Sequence, residues 1–208
     1  MEIYAFGSVV RGDIDKFSDI DLLILKDINE ELPEINKEQF SIYTYQRISE
    51  LWKEGNPFSW HLYIESKCIY TNNKSSFLKS LGSPSTYNNL KNDLNKFHQL
   101  FIDSKNSILT NNNCIDFDLS MIFLSIRNFA SCYSLGYLKQ FEFSRDSALR
   151  LGKFSIDITE YTYKKLKQSR LLSSRGIGEK VSSSELRIIT DEFISIEKWF
   201  NKLSTLIK

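Results

Sequence analysis

The chain has 208 residues, 41% of them hydrophobic, and a formal net charge of +1. That suffices for a packed core in one large domain or two small ones of roughly 100 residues each. No run of about 18 apolar residues occurs, which excludes a transmembrane helix, and the opening "MEIYAFGS" lacks the basic flank and apolar stretch of a signal peptide. Cys68, Cys114 and Cys132 are odd in number and widely spaced, with no CxxC pair. They fit a reducing cytoplasm, argue against a structural zinc, and are expected to be inert core thiols.

The near-neutral total conceals two halves. Residues 1–83 carry nine Lys/Arg and thirteen Asp/Glu, a net −4; the remainder carries eighteen and thirteen, a net +5. Two modules are expected, the second able to attract a polyanion or simply bearing solvated helix faces.

The first half reads as mixed α/β. "EIYAF" (2–6) is a short strand, and "GSVVRGD" follows as a turn and helix start. "DIDLLIL" (19–25) alternates and then runs apolar, as a half-buried strand does. "DINEELPEINKE" is an acidic loop, and "FSIYTY" (40–45), rich in β-branched and aromatic residues, is a third strand. "RISELWKEG" is a short helix ended by Gly55. "FSWHLYIESKCIY" (58–70) supplies a last helical turn and a strand. "LGSPST" (81–86) is the best boundary, giving domains 1–83 and 84–208.

The second half is helical. Leu90, Leu94, Phe97 and Phe101 recur at helical spacing, as do Leu119, Ile122, Phe123, Ile126, Phe129 and Tyr133. The last helix runs unbroken through Leu186, Ile189, Phe193, Ile196, Phe200, Leu203 and Ile207. "SSSE" (182–185) gives it a capping box. Four or five helices in a bundle are expected, joined by "TNNNC" (110–114) and "SSRGIGEKVSSS" (173–184). The apolar stripe of the last helix can serve the core or a homodimer. No internal repeat or low-complexity tract is found. The fold class is α+β: a small mixed sheet followed by an α-helical bundle.

The chemistry concentrates in "FGSVVRGDIDKFSDIDLLIL" (6–25). Side chains alternate along a strand, so Asp19 and Asp21 face the same way, with Ile20 and Leu22 packed behind them. Two such carboxylates repel unless a cation lies between them, and Mg²⁺ suits hard oxygen ligands completed by phosphate. A Gly7-Ser8 turn at a strand end offers free N–H groups and close backbone approach to a phosphate.

Gly-Ser, a ten-residue spacer and Asp-hydrophobic-Asp-hydrophobic resemble the nucleotidyltransferase superfamily of DNA polymerase beta, kanamycin nucleotidyltransferase and the minimal nucleotidyltransferases. The "GSxxRG" and "SDIDL" forms match small bacterial members, over about residues 3–70. The resemblance implies that Gly7 and Ser8, with Ser18 beside the acidic pair, hold triphosphate oxygens, and that Asp19 and Asp21 bind Mg²⁺ or Mn²⁺. Arg11 touches phosphate or forms a surface salt bridge. The implied donor is an NTP, with ATP the first choice.

Active relatives bring a third carboxylate on the next strand, and Ser41 occupies that place here. Either another group takes its role, or fewer carboxylates suffice, or catalysis is lost. The nearest substitutes are His61 and Glu65 in "WHLYIESK". His61 is taken as a catalytic base, against the alternative of a structural histidine beside Trp60, and Glu65 is read as a solvated turn residue.

"LSIRNFASCYSLGYLKQFEFSRDSALRLG" (124–152) resembles bundles of kanamycin-nucleotidyltransferase-like and HEPN-type proteins. A HEPN ribonuclease needs Arg, a spacer of four to six residues and then His; after Arg127 that spacer leads to Cys132, Tyr133 or Ser134, so RNase activity is not expected. Arg127, Arg145 and Arg150 either line an inter-domain cleft and meet phosphate, or close the bundle through an internal Arg–Asp network. Two functions follow. One is a cytoplasmic, metal-dependent enzyme transferring an NMP from an NTP to a small molecule, a protein residue or an RNA end. The other is a weakened, nucleotide-binding relative whose bundle engages a protein partner, as an antitoxin or phage-defence component.

Overall fold

The computed structural model describes residues 1–13, 20–34, 39–73, 75–110 and 114–207. Ser18 and Asp19 lie outside the described residues. The chain divides into two compact units, Met1–Asn88 and Asn89–Lys208, and the fold is α+β.

The first unit holds four strands, β1 (Glu2–Phe6), β2 (Asp21–Lys26), β3 (Phe40–Thr44) and β4 (Ser66–Thr71). They are ordered β3-β2-β1-β4. β1 runs antiparallel to β2 and β4, and β2 runs parallel to β3. Between them lie α1 (Ser8–Arg11), α2 (Tyr45–Glu54), α3 (Pro57–Glu65) and α4 (Phe77–Ser80).

Alternation decides which side chains meet. Tyr4 and Phe6 of β1 join Leu23 and Leu25 of β2 in one core with Ile48, Leu51 and Trp52 of α2 and Leu62 of α3. Asp21 shares the Leu23–Leu25 face at the start of its strand. Ser41 pairs with Leu23 and Tyr43 with Leu25, so Ser41 lies on this face too. Ile20, expected to pack behind the acids, is 59% exposed instead. It precedes the paired part of β2, which begins at Asp21.

The α2–α3 corner is written locally. Thr44 caps α2 by accepting from the Arg47 N–H at 3.1 Å. Gly55 ends it at φ 63°, and a Cβ there would stand 2.3 Å from the Ser85 carbonyl oxygen. Asn56 then caps α3, accepting from the Phe58 N–H at 2.9 Å, with Pro57 in the first turn. These signals start α3 at Pro57. It runs the full nine residues to Glu65, where the sequence suggested only a last turn.

The second unit contains α5 (Leu90–Leu109), α6 (Ile115–Tyr133), α7 (Glu160–Arg175), α8 (Ser183–Asp191) and α9 (Phe193–Thr205). Phe101, Phe129 and Phe200 meet in its core, with Phe129 and Phe200 centroids 4.7 Å apart, edge to face. The Ser182–Glu185 capping box is present. The single last helix is not: it breaks at Glu192, at φ −91° and ψ −3°. The Glu192 carboxylate accepts from the Thr159 N–H at 2.9 Å and the Thr162 hydroxyl at 3.0 Å, at the start of α7. The apolar stripe continues across the break, with Ile189, Phe193, Ile196, Phe200 and Leu203 buried. Of the three thiols only Cys132 is buried; Cys114, in the loop before α6, is exposed and Cys68, on an edge strand, is intermediate. No described helix is long and apolar enough to cross a membrane.

Candidate active site

The site begins where β1 turns into α1. Gly7 takes φ 73° and ψ −134°, a conformation glycine adopts without strain. Its N–H donates to the Glu65 carbonyl oxygen at 3.0 Å, tying the turn to the end of α3. Phe6 pairs with Asp21 across the sheet, which brings the first residue of β2 beside the turn. A Cβ on Gly7 would lie 3.0 Å from Asp21 Oδ2 and 3.8 Å from His61 Nε2. Three elements, β1, β2 and α3, thus converge on one glycine corner.

Ser8 opens α1 and is buried; Arg11 is its last residue. The Arg11 guanidinium reaches Asp13 at 3.1 Å through Nε and pairs with Glu65 through Nη1. His61 is one helical turn before Glu65 on α3. Its Nε2 stands 2.9 Å from Glu65 Oε2, close enough for an ion pair but off the line of a well-directed N–H···O bond. Its ring meets Phe6 and Phe58 edge to face.

Glu65 corrects the sequence reading. It is 5% exposed, not a solvated turn residue. Burying a lone carboxylate in a protein costs several kcal/mol. Here one oxygen, Oε2, faces both a guanidinium and an imidazole. The missed signal was available: Asn56-Pro57 starts a helix, and on a helix His61 and Glu65, four residues apart, share a face.

Of the second unit's arginines, Arg127 reaches the segment 142–150, and Arg145 and Arg150 lie within it. Arg127 donates to the Phe143 carbonyl at 3.1 Å and the Ser144 carbonyl at 3.4 Å. The Arg145 carbonyl accepts from the Tyr163 hydroxyl at 2.8 Å, and Arg150 Nη1 lies 4.0 Å from Glu142. Asp146 pairs with Lys167 at 3.0 Å. These contacts fasten the segment between α6 and α7.

Residues 1–84 match the family model described as a nucleotidyltransferase domain. That part of the chain, which is similar to a nucleotidyltransferase domain, spans the sheet, the Gly7 corner and α3. No curated protein matches the sequence. Among solved structures, the chain is similar to that of spectinomycin adenyltransferase AAD(9) from Enterococcus faecialis with ATP and spectinomycin. The TM-score is 0.46 at 14% identity, covering 98% of this chain and 91% of that one.

The nucleotidyltransferase domain fits a hard divalent cation. Asp21 offers a carboxylate oxygen at a cradle that any Cβ on Gly7 would crowd. Among the described residues no group of three or more His, Cys, Asp or Glu is placed to hold a metal. Mg²⁺ needs no such cage, since one or two carboxylates and substrate phosphates serve it.

Proposed function

We propose that the chain is a Mg²⁺-dependent nucleotidyltransferase that moves an NMP from an NTP to an acceptor hydroxyl. The acceptor oxygen bonds to the α-phosphorus, the bond from that phosphorus to the bridging oxygen breaks, and pyrophosphate leaves. The observation that carries this reading is the convergence of Asp21 and His61 on the Gly7 corner, within the matched domain.

Asp21, with Asp19, is assigned to the cation. When bound, the cation neutralises charge on the phosphates and helps the leaving pyrophosphate. Gly7 lets the triphosphate approach the backbone, and Ser8 and Ser18 are assigned to its oxygens. Arg11, on the same helix as Ser8, is assigned to phosphate as well. His61 is assigned to take the acceptor hydroxyl's proton, the task a carboxylate at Ser41 would have had. Ser41 is neutral and sits two residues along the shared face from Asp21's end of the sheet. In the second unit Arg150, with its side chain 48% exposed, is assigned to an anionic group of the acceptor, together with Arg145 and with Arg127, which reaches the same segment.

The reading is tested with ATP, CTP, GTP and UTP labelled at the α-phosphate, ATP first, with Mg²⁺ or Mn²⁺ and cell extract as the acceptor source. Label should transfer and vanish in Asp19→Ala and Asp21→Ala. A second reading, nucleotide binding without transfer, is favoured by Ser41. It predicts ATP binding that needs Asp21 while no label moves under any condition.

A further inference from the structure

Trp60 stands one residue before His61 on α3, and the motif does not point to it. Its indole N–H donates to the Ser85 carbonyl at 3.1 Å. The segment that carries this carbonyl is itself fastened. The Ser85 N–H donates to the Trp52 carbonyl at 2.9 Å, and the Gly82 carbonyl accepts from the Trp52 indole at 2.9 Å. Earlier in the segment, the Phe77 N–H donates to the buried Glu2 carboxylate at 2.8 Å and the Leu78 N–H to the Tyr4 hydroxyl at 3.2 Å. Residues 77–85 are thus pinned to β1 and α2, and Trp60 ties α3 to them. We infer that Trp60 is a positioning residue: through the Ser85 carbonyl it fixes the rotation of α3 and so holds His61 at the Gly7 corner. Its consequence for catalysis rests on the transferase reading above.

Successive residues on a helix are about 100° apart, so Trp60 and Leu62 leave α3 on nearly opposite sides, with His61 between them. Leu62 is fully buried in the core of the first unit. Trp60 grips the helix from the other side. The Ser85 carbonyl approaches this corner closely because residue 55 is glycine: a Cβ there would lie 2.3 Å from its oxygen. A side-chain tip stands about 5–6 Å from a helix axis, so a roll of about 10° carries it about 1 Å. Misplacement on that scale at a reacting group can cost about a hundredfold in rate. His61 Nε2 is 3.8 Å from the Cβ position of Gly7, so a roll of α3 is felt at that corner. One hydrogen bond adds little to global stability, so its loss should free the helix without unfolding the unit.

Two variants of the full chain test this. Trp60→Phe removes the N–H and keeps an aromatic ring. Incorporation of 3-benzothienylalanine at position 60 keeps both rings and exchanges only the N–H for sulfur. The chain contains two histidines, His61 and His98, so ¹⁵N-histidine spectra report on His61 with His98 as an internal control. Well below the unfolding temperature, both variants should shift or broaden the His61 ring signals and leave those of His98 unchanged. With α-labelled ATP, Mg²⁺ and cell extract as the acceptor source, transfer at saturating ATP should fall at least tenfold. KM for ATP should stay within about threefold. In a His61→Ala background the same changes should alter transfer less than twofold.

An unchanged His61 spectrum in both variants overturns the inference whatever the activity. So does an unchanged transfer rate where the wild type transfers label, or a tenfold loss that persists in the His61→Ala background. Should neither variant fold, the wild type decides: a Trp60 indole N–H that exchanges with solvent as fast as a free indole overturns the inference, and a protected one supports it. If the wild type transfers no label but the variants disturb His61 alone, the transferase reading fails and the positioning role stands.

Discussion

His61 Nε2 and Glu65 Oε2 lie 2.9 Å apart on one face of α3, and the carbonyl of Glu65 holds the N–H of Gly7. A helix that begins at an Asn-Pro signal after the third strand therefore delivers an imidazole, a carboxylate and a backbone anchor to the turn after the first strand. Asp21 reaches the same place from β2.

Asp21 is exposed at the start of its strand, and the proposed function assigns its carboxylate to the cation. Asp21→Asn should leave stability within about 0.5 kcal/mol of the wild type, as surface substitutions usually do. Label transfer should fall at least a hundredfold. Urea titration followed by the transfer assay separates the two effects.

Gly7→Ala should damage both. The backbone sits at φ 73° and the new methyl would meet Asp21 Oδ2 at 3.0 Å. A positive-φ conformation that L-residues rarely adopt costs about 1–3 kcal/mol, which denaturation can measure. ATP affinity should drop as well, because the methyl stands between the carboxylate and the turn. Gly12→Ala is the control: Gly12 also has a positive φ, but no atom of the described residues lies within 4 Å of its Cβ position. It should show the strain without the loss of affinity.

Gly55→Ala should be more destabilising than either, since its Cβ would fall 2.3 Å from a backbone carbonyl that has no rotamer with which to yield. The expected loss exceeds 2 kcal/mol, the strain of the left-handed conformation plus that of the clash, and thermal unfolding measures it.

The second unit carries a pH dependence of its own. His98 stacks parallel on Phe200 at 5.1 Å, and its Nε2 is buried with no hydrogen-bond partner among the described residues. Burial lowers its pKa from 6.5, opposed by Glu197 and assisted by Lys105. The folded chain therefore binds fewer protons than the unfolded chain just below pH 6.5. Stability from this group is fully present above 6.5 and is lost progressively as pH falls from there through the lowered folded value. Urea midpoints measured between pH 8 and 5 should fall more steeply for the wild type than for His98→Phe, which keeps the stack and removes the titration.

Much of this was legible in the sequence, because the legible parts are local. The Gly7-Ser8 turn, Asp21 at the start of β2 and the position of Ser41 follow from strand alternation and a short spacer. The capping box at Ser182 and the stop at Gly55 are single-turn signals. What was missed depended on length or on distant partners. Glu65 looked solvated because α3 was read as one turn, and only a full helix brings it back beneath the Gly7 turn. The break at Glu192 leaves the three-four spacing intact, so periodicity could not mark it. It is made by a carboxylate that caps α7, more than thirty residues earlier. Asp19 and Ser18 lie outside the described residues, and their roles stay with the motif.

The most direct measurement is a crystal structure of the full chain with Mg²⁺ and a non-hydrolysable ATP analogue. The account predicts the triphosphate against Gly7 and Ser8, the cation on an oxygen of Asp21, and the α-phosphate on the His61 side of the turn. Nucleotide bound away from the Gly7 corner, or an Asp21 carboxylate with no metal on it while the analogue is present, would contradict it.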